Sequence, residues 1–183
     1  MVTTRSGWWR RSRWALLSLV VLVPAAVAAS LSVDAVDYLM SRPSVVTTVE
    51  AGRAADLGDA RIRVLESWTA PADSAVGEEY GVPEGTALVS VTLELDASAA
   101  AEDFACRVDL LDAGSQRHWR SGFTDTSYFP GEGLPDDAPF GCSWHATPFP
   151  FEATFLIPED AVDDVVLEVI DPRRLPRAFH LLL

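Results

Sequence analysis

A chain of 183 residues with 14 basic and 27 acidic side chains, net −13, has room for one domain and an appendage. That much negative charge disfavours nucleic acid as a partner, and a hydrophobic content of 49% excludes disorder throughout. The charge is unevenly placed: residues 1–33 hold Arg5, Arg10, Arg11 and Arg13 and no acid, so residues 34–183 carry all 27 acids against ten arginines, a net of −17. Lysine and asparagine are absent, which removes any N-glycosylation sequon and points to a GC-rich codon supply.

In chain order, the basic segment 1–13 leads into an uncharged run from Trp14 to Val33. Its 20 residues, at about 1.5 Å per residue in a helix, match a hydrocarbon core of roughly 30 Å. Trp8, Trp9 and Trp14 stand where an aromatic belt would lie, with Tyr38 at the opposite interface. The positive-inside rule then predicts a single-pass protein with its N-terminus in the cytoplasm and everything after Asp34 outside. The same residues also suit a cleavable signal peptide, with Pro24 as breaker and Ala26-Val27-Ala28 before the cut. A buried core helix is the third alternative. Both leading readings export the acidic body, through a connector at residues 34–44 and into a domain at 45–183.

After the connector the periodicity changes to two. Val45–Val49 is β-branched, and Ile62, Val64 and Leu65 form a second candidate strand before a polar stretch, Thr69–Gly85, that reads as a long loop. Val89, Val91, Leu93 and Leu95 alternate with Ser90, Thr92 and Glu94, giving one apolar and one wet face. Cys106, Val108 and Leu110 repeat the pattern, and Asp112-Ala113-Gly114 predicts a turn into a returning strand at His118-Trp119. Phe149, Phe151, Ala153, Phe155 and Ile157 alternate again, Val165–Ile170 follows, and Phe179–Leu183 is expected at an edge. Seven or eight short strands, all with antiparallel neighbours, predict an all-β antiparallel sandwich preceded by one transmembrane helix, with a closed barrel as the alternative.

Cys106 and Cys142 are the only cysteines. In an exported β domain such a pair is expected to form a disulfide that pins residues 121–148 to the sheet; free thiols, redox and metal roles are the alternatives, without Cys-x-x-Cys spacing to favour them. A metal set from Cys142, His145 and Asp136 or Asp137 matches no four-ligand pattern. Ser143 lacks a nucleophile-elbow context, and the acid pairs Glu78-Glu79, Asp136-Asp137 and Asp163-Asp164 read as solvated charge. No catalytic residue, cofactor or metal site is therefore expected. Trp119, Tyr128, Phe129, Phe140 and Trp144 are the candidate interaction surface, because loops on rigid sandwiches commonly carry binding.

With those elements in view, the layout resembles small membrane-anchored proteins of high-GC Gram-positive bacteria. Its exported part is similar to the immunoglobulin-like (telokin-like) domains of unknown function in Gram-positive surface proteins. The resemblance rests on Ile62-Arg63-Val64-Leu65, Pro83-Glu84-Gly85-Thr86-Ala87-Leu88-Val89, the strand carrying Cys106, Asp112-Ala113-Gly114 before Trp119, and Phe155-Leu156-Ile157-Pro158. It covers roughly residues 45–171 and implies an immunoglobulin-like fold at the cell surface, with no catalytic residues. The expected role is a non-enzymatic module for a protein or cell-envelope partner. A metal-dependent or hydrolytic envelope enzyme is the rival.

Overall fold

A computed structural model describes residues 18–25, 42–115, 117–121 and 141–183, and divides the chain into two units, Met1–Arg42 and Pro43–Leu183. In the first unit, residues 18–25 are helical, with Leu19, Val20, Val21, Leu22 and Val23 all exposed. This helix lies inside the predicted Trp14–Val33 run, whose remaining residues lie outside the described ones. Among the described residues no helix is long and apolar enough to cross a membrane.

The second unit is a two-sheet β-sandwich. Its described strands are β1 (Val45–Val49), β2 (Ala55–Asp56), β3 (Arg61–Pro71), β4 (Thr86–Asp96), β5 (Arg107–Asp112), β6 (His118–Arg120), β7 (Phe149–Pro158), β8 (Val165–Ile170) and β9 (Arg177–Leu182). One sheet runs β1-β9-β8-β5-β6 and the other β2-β3-β4-β7. The alternating rows seen in the sequence face each other as the core. Val89, Val91, Leu93 and Leu95 of β4 and Phe149, Phe151, Phe155 and Ile157 of β7 meet Val108 and Leu110 of β5, Leu167 and Val169 of β8 and Leu181 of β9. A period of two puts one such row inside and leaves the intervening residues on the outer face of each sheet.

Three expectations are corrected. First, β1 pairs with β9 in parallel, from Val45↔Arg177 to Val49↔Leu181, so the sandwich is not wholly antiparallel. The amides of Ser44 and Val45 both donate to the Pro176 carbonyl (2.8 and 3.0 Å), which fixes the entry of β1 at the start of β9. A β-branched pentapeptide has the same period in either direction, so its pairing sense was invisible in the sequence. Second, the C-terminal strand is internal, held between β1 and β8, and β1 is the edge.

Third, the stretch expected as a loop from Thr69 is structured. β3 continues to Pro71, and Ser74 caps a short helix, Ala75–Glu79, by accepting from the Gly77 amide at 2.9 Å. The register slips between Val64 and Glu66, leaving Leu65 at a bulge. Before it Ile62 and Val64 share the register row of the inward Leu95 and Leu93; beyond it Ser67 and Thr69 pair with the inward Val91 and Val89. The intervening Trp68 and Ala70 therefore turn to the outer face. There Ala70, Val82 and Leu88 form a second small core, with Trp68, Ala72 and Tyr80 packed on it. A polar composition concealed this cover because only a few of its residues are apolar.

Candidate functional site

Cys106 and Cys142 form the expected disulfide, with Cα atoms 5.1 Å apart. Backbone contacts surround it: the Cys106 amide donates to the Cys142 carbonyl (2.9 Å), and the Trp144 amide to the Phe104 carbonyl (2.9 Å). Cys142 is buried in the main core, so the bridge ties the chain after the 121–140 stretch to the start of β5.

Of the five aromatics expected to form a surface, Tyr128, Phe129 and Phe140 lie outside the described residues. Trp119 and Trp144 are half-buried and packed against the main core. The Arg117 guanidinium stands 5.4 Å from the Trp119 ring. The alternative metal set does not assemble around Cys142, whose sulfur is used by the disulfide. His145 Nδ1 lies near Thr147, and its ring meets Phe149 edge-on at 5.2 Å. Asp136 and Asp137 are outside the described residues.

A different group of side chains converges on the outer face of the five-stranded sheet. Thr48, His180, Glu168, Asp109 and Arg120 are successive cross-strand partners on β1, β9, β8, β5 and β6. They alternate with the core residues Leu110, Leu167 and Leu181, so the row faces away from the main core. His118 joins it from β6. Asp109, at 5% exposure, and Glu168, at 2%, are thus two buried carboxylates directly opposite each other. Like charges so placed repel, and each needs compensation.

Arg107 supplies part of it, with Nε 2.8 Å from Asp109 Oδ2. Burial nevertheless pushes the Asp109 carboxyl above its ordinary range, against the pull of Arg107, and the neighbouring Glu168 adds to the rise. On Glu168, Oε1 lies 3.3 Å from His180 Nε2. Its other oxygen, Oε2, is 3.6 Å from His118 Nδ1 and has no hydrogen-bond partner among the described residues. Ligand-capable atoms of Asp109, His118 and Glu168 all lie within 4.8 Å of one another. Asp109 and Arg107 also line a cavity of about 440 Å³ that reaches Arg120 and the disulfide.

The β5–β6 turn positions His118. Asp112 Oδ1 accepts from the amides of Gly114 (2.8 Å) and Ser115 (2.9 Å), while Oδ2 accepts from Ser115 Oγ and Arg117 Nη2 (2.9 Å). These donors, Ser115 foremost, hold the Asp112 carboxyl well below its ordinary value of 3.8. A depressed folded-state value means that the turn contributes its stability above the ordinary carboxylate value and loses it as pH falls below that value. Asp112→Ala is therefore expected to lower stability at neutral pH and to shrink the loss on acidification. Urea midpoints of both proteins at pH 7 and pH 3 check this; parallel acid responses would show that Asp112 does not carry it.

The sequence alone shows Asp109 between the apolar Val108 and Leu110, and gives His118 and His180 no common motif. Asp109, His118, Glu168 and His180 come from four different strands, and Glu168 and Asp109 become neighbours only through the β5–β8 pairing. No local spacing announces such a set. An acid in mid-strand, flanked by apolar residues, was the available signal.

Neither a protein-family model nor a curated protein matches the chain. Among solved structures, it is similar to a functionally unknown protein from Listeria monocytogenes EGD-e, at 13% identity over 67% of this chain and 73% of that one, with a TM-score of 0.42. It is also similar to an uncharacterised β-sandwich protein from Clostridium difficile 630, at 8% identity over 76% of this chain and 95% of that one, with a TM-score of 0.43.

Proposed function

We propose that the chain is a single-pass, N-in/C-out membrane protein that displays an immunoglobulin-like β-sandwich on the outer side of the membrane. The sandwich serves as a non-enzymatic interaction module for a protein or cell-envelope partner. The observation that carries this reading is the helix at residues 18–25, whose five large apolar side chains at Leu19–Val23 are exposed. In water such a continuous apolar surface is unfavourable; in lipid it is not. Four arginines precede it with no acid before Asp34, which supports the orientation. The Cys106–Cys142 bridge supports a location outside the reducing cytosol. The half-exposed Trp119 and Trp144 border the segment expected to carry the partner surface, together with Tyr128, Phe129 and Phe140.

The test is the mass and distribution of the mature protein. Full-length chain produced in a bacterial host is expected in the membrane fraction, resistant to carbonate extraction, with Trp14–Val33 retained and no free thiol. A soluble species beginning at Ala29 would replace the anchor with a cleaved signal peptide. Free Cys106 and Cys142 in the recovered protein would remove the extracytoplasmic reading. Crosslinking on intact cells then identifies the partner.

A further inference from the structure

We infer that Asp109, His118 and Glu168 form a binding site for one divalent transition-metal ion, of which Zn²⁺ is the representative, on the outer face of the five-stranded sheet. The inference goes beyond the envelope reading and does not depend on the anchor.

The donor set is mixed imidazole and carboxylate. That chemistry suits Zn²⁺ and its first-row neighbours, whereas Ca²⁺ and Mg²⁺ favour oxygen alone. The spacing fits for His118 and Glu168, and Asp109 reaches the same ion after a small side-chain shift. Zn–N and Zn–O bonds of about 2.0–2.2 Å place adjacent tetrahedral ligands about 3.3–3.6 Å apart. His118 Nδ1 and Glu168 Oε2 are 3.6 Å apart, and Asp109 completes a set within 4.8 Å.

An observation independent of the spacing points to a ligand. Glu168 is 2% exposed, yet its Oε2 has no hydrogen-bond donor among the described residues. A buried carboxylate oxygen in that condition costs free energy unless a cation meets it. A second acid, Asp109, stands opposite it, and Arg107 engages Oδ2 of that acid. A divalent ion between the two carboxylates relieves their repulsion and satisfies the orphaned oxygen together.

His180 has a positioning role. With the proton on Nε2 it donates to Glu168 Oε1, which leaves Oε2 directed at His118. His118 is 44% exposed on its side chain and gives the ion a way in. Three protein ligands leave at least one coordination position for water or for a donor atom from a partner, unlike a closed structural site.

The experiment is a calorimetric and native-mass titration of the full-length chain in detergent, stripped by chelator and then exposed to Zn²⁺, with Ca²⁺ and Mg²⁺ as competitors. Uptake of one Zn²⁺ per chain is expected, undiminished by equimolar Ca²⁺ or Mg²⁺. Glu168→Gln and His118→Ala each abolish that uptake, His180→Ala weakens it by about 10–100-fold, and His145→Ala leaves it unchanged. If Glu168→Gln does not fold, His118→Ala decides, because its half-exposed side chain is dispensable for packing. The proposal is overturned by an absence of saturable Zn²⁺ uptake, by uptake that survives His118→Ala, or by displacement with equimolar Ca²⁺.

Discussion

Phe155→Ala is expected to destabilise the sandwich by about 3–5 kcal/mol, whereas Leu156→Ala, one residue along the same strand, should cost no more than about 1 kcal/mol. Phe155 is 1% exposed and pairs with Val89 of β4 inside the main core; Leu156 is 42% exposed. Truncating Phe155 removes a buried ring and leaves a cavity that Ala153 and Ile157 on the same inward row are too short or too constrained to fill. Leu156 points the other way, opposite Leu88 of the second small core, and is already partly in solvent, so its removal opens no cavity in the main core. Urea or thermal unfolding of the unit Pro43–Leu183 in the two variants checks the contrast. Equal costs would mean that β7 is out by one residue, because a slip of one exchanges the two faces.

The second large effect concerns the disulfide. The cysteines are separated by 36 positions, and closing a loop of that size restricts the unfolded chain by an entropy equivalent to roughly 4 kcal/mol. Replacing both cysteines with alanine is expected to lower stability by about 2–4 kcal/mol. The lower end applies if the β5–β6 hairpin, which lies within the loop, already restricts the unfolded ensemble. The double variant, with no thiol left to react, is compared with the parent by denaturant midpoint. A cost below about 0.5 kcal/mol would leave the bridge without the stabilising role assigned to it.

How far the sequence could be read depended on the range of the interaction. The inward rows of β4 and β7 were legible because alternation is written into consecutive residues, and the disulfide because two cysteines in the whole chain leave a single pairing. The direction of β1 was not legible: Val45–Val49 has no feature that distinguishes a parallel from an antiparallel neighbour. The bulge at Leu65 was hidden for a related reason. It reverses the inward parity of β3, so Trp68 and Ala70 look misplaced until the second small core is known. The Asp109–Glu168 pair lay furthest from view, since two strands far apart in sequence must pair in one register before the acids meet. Seen alone, each was one more charge in an acidic domain.

The parallel union of β1 with β9 bears on the timing of assembly. The first described strand of the sandwich finds its partner only in the last, so during synthesis it waits until the rest of the unit has emerged. Joining chain ends so distant costs closure entropy that local hairpins such as β5–β6 avoid, which makes this seam a late event in folding. Until it forms, Val45 and Val46, which stay exposed even in the finished fold, offer an unpaired β-branched edge to any other chain nearby. The residues of β1 would then be the last to be secured, and the most open to mispairing while a nascent copy is unfinished.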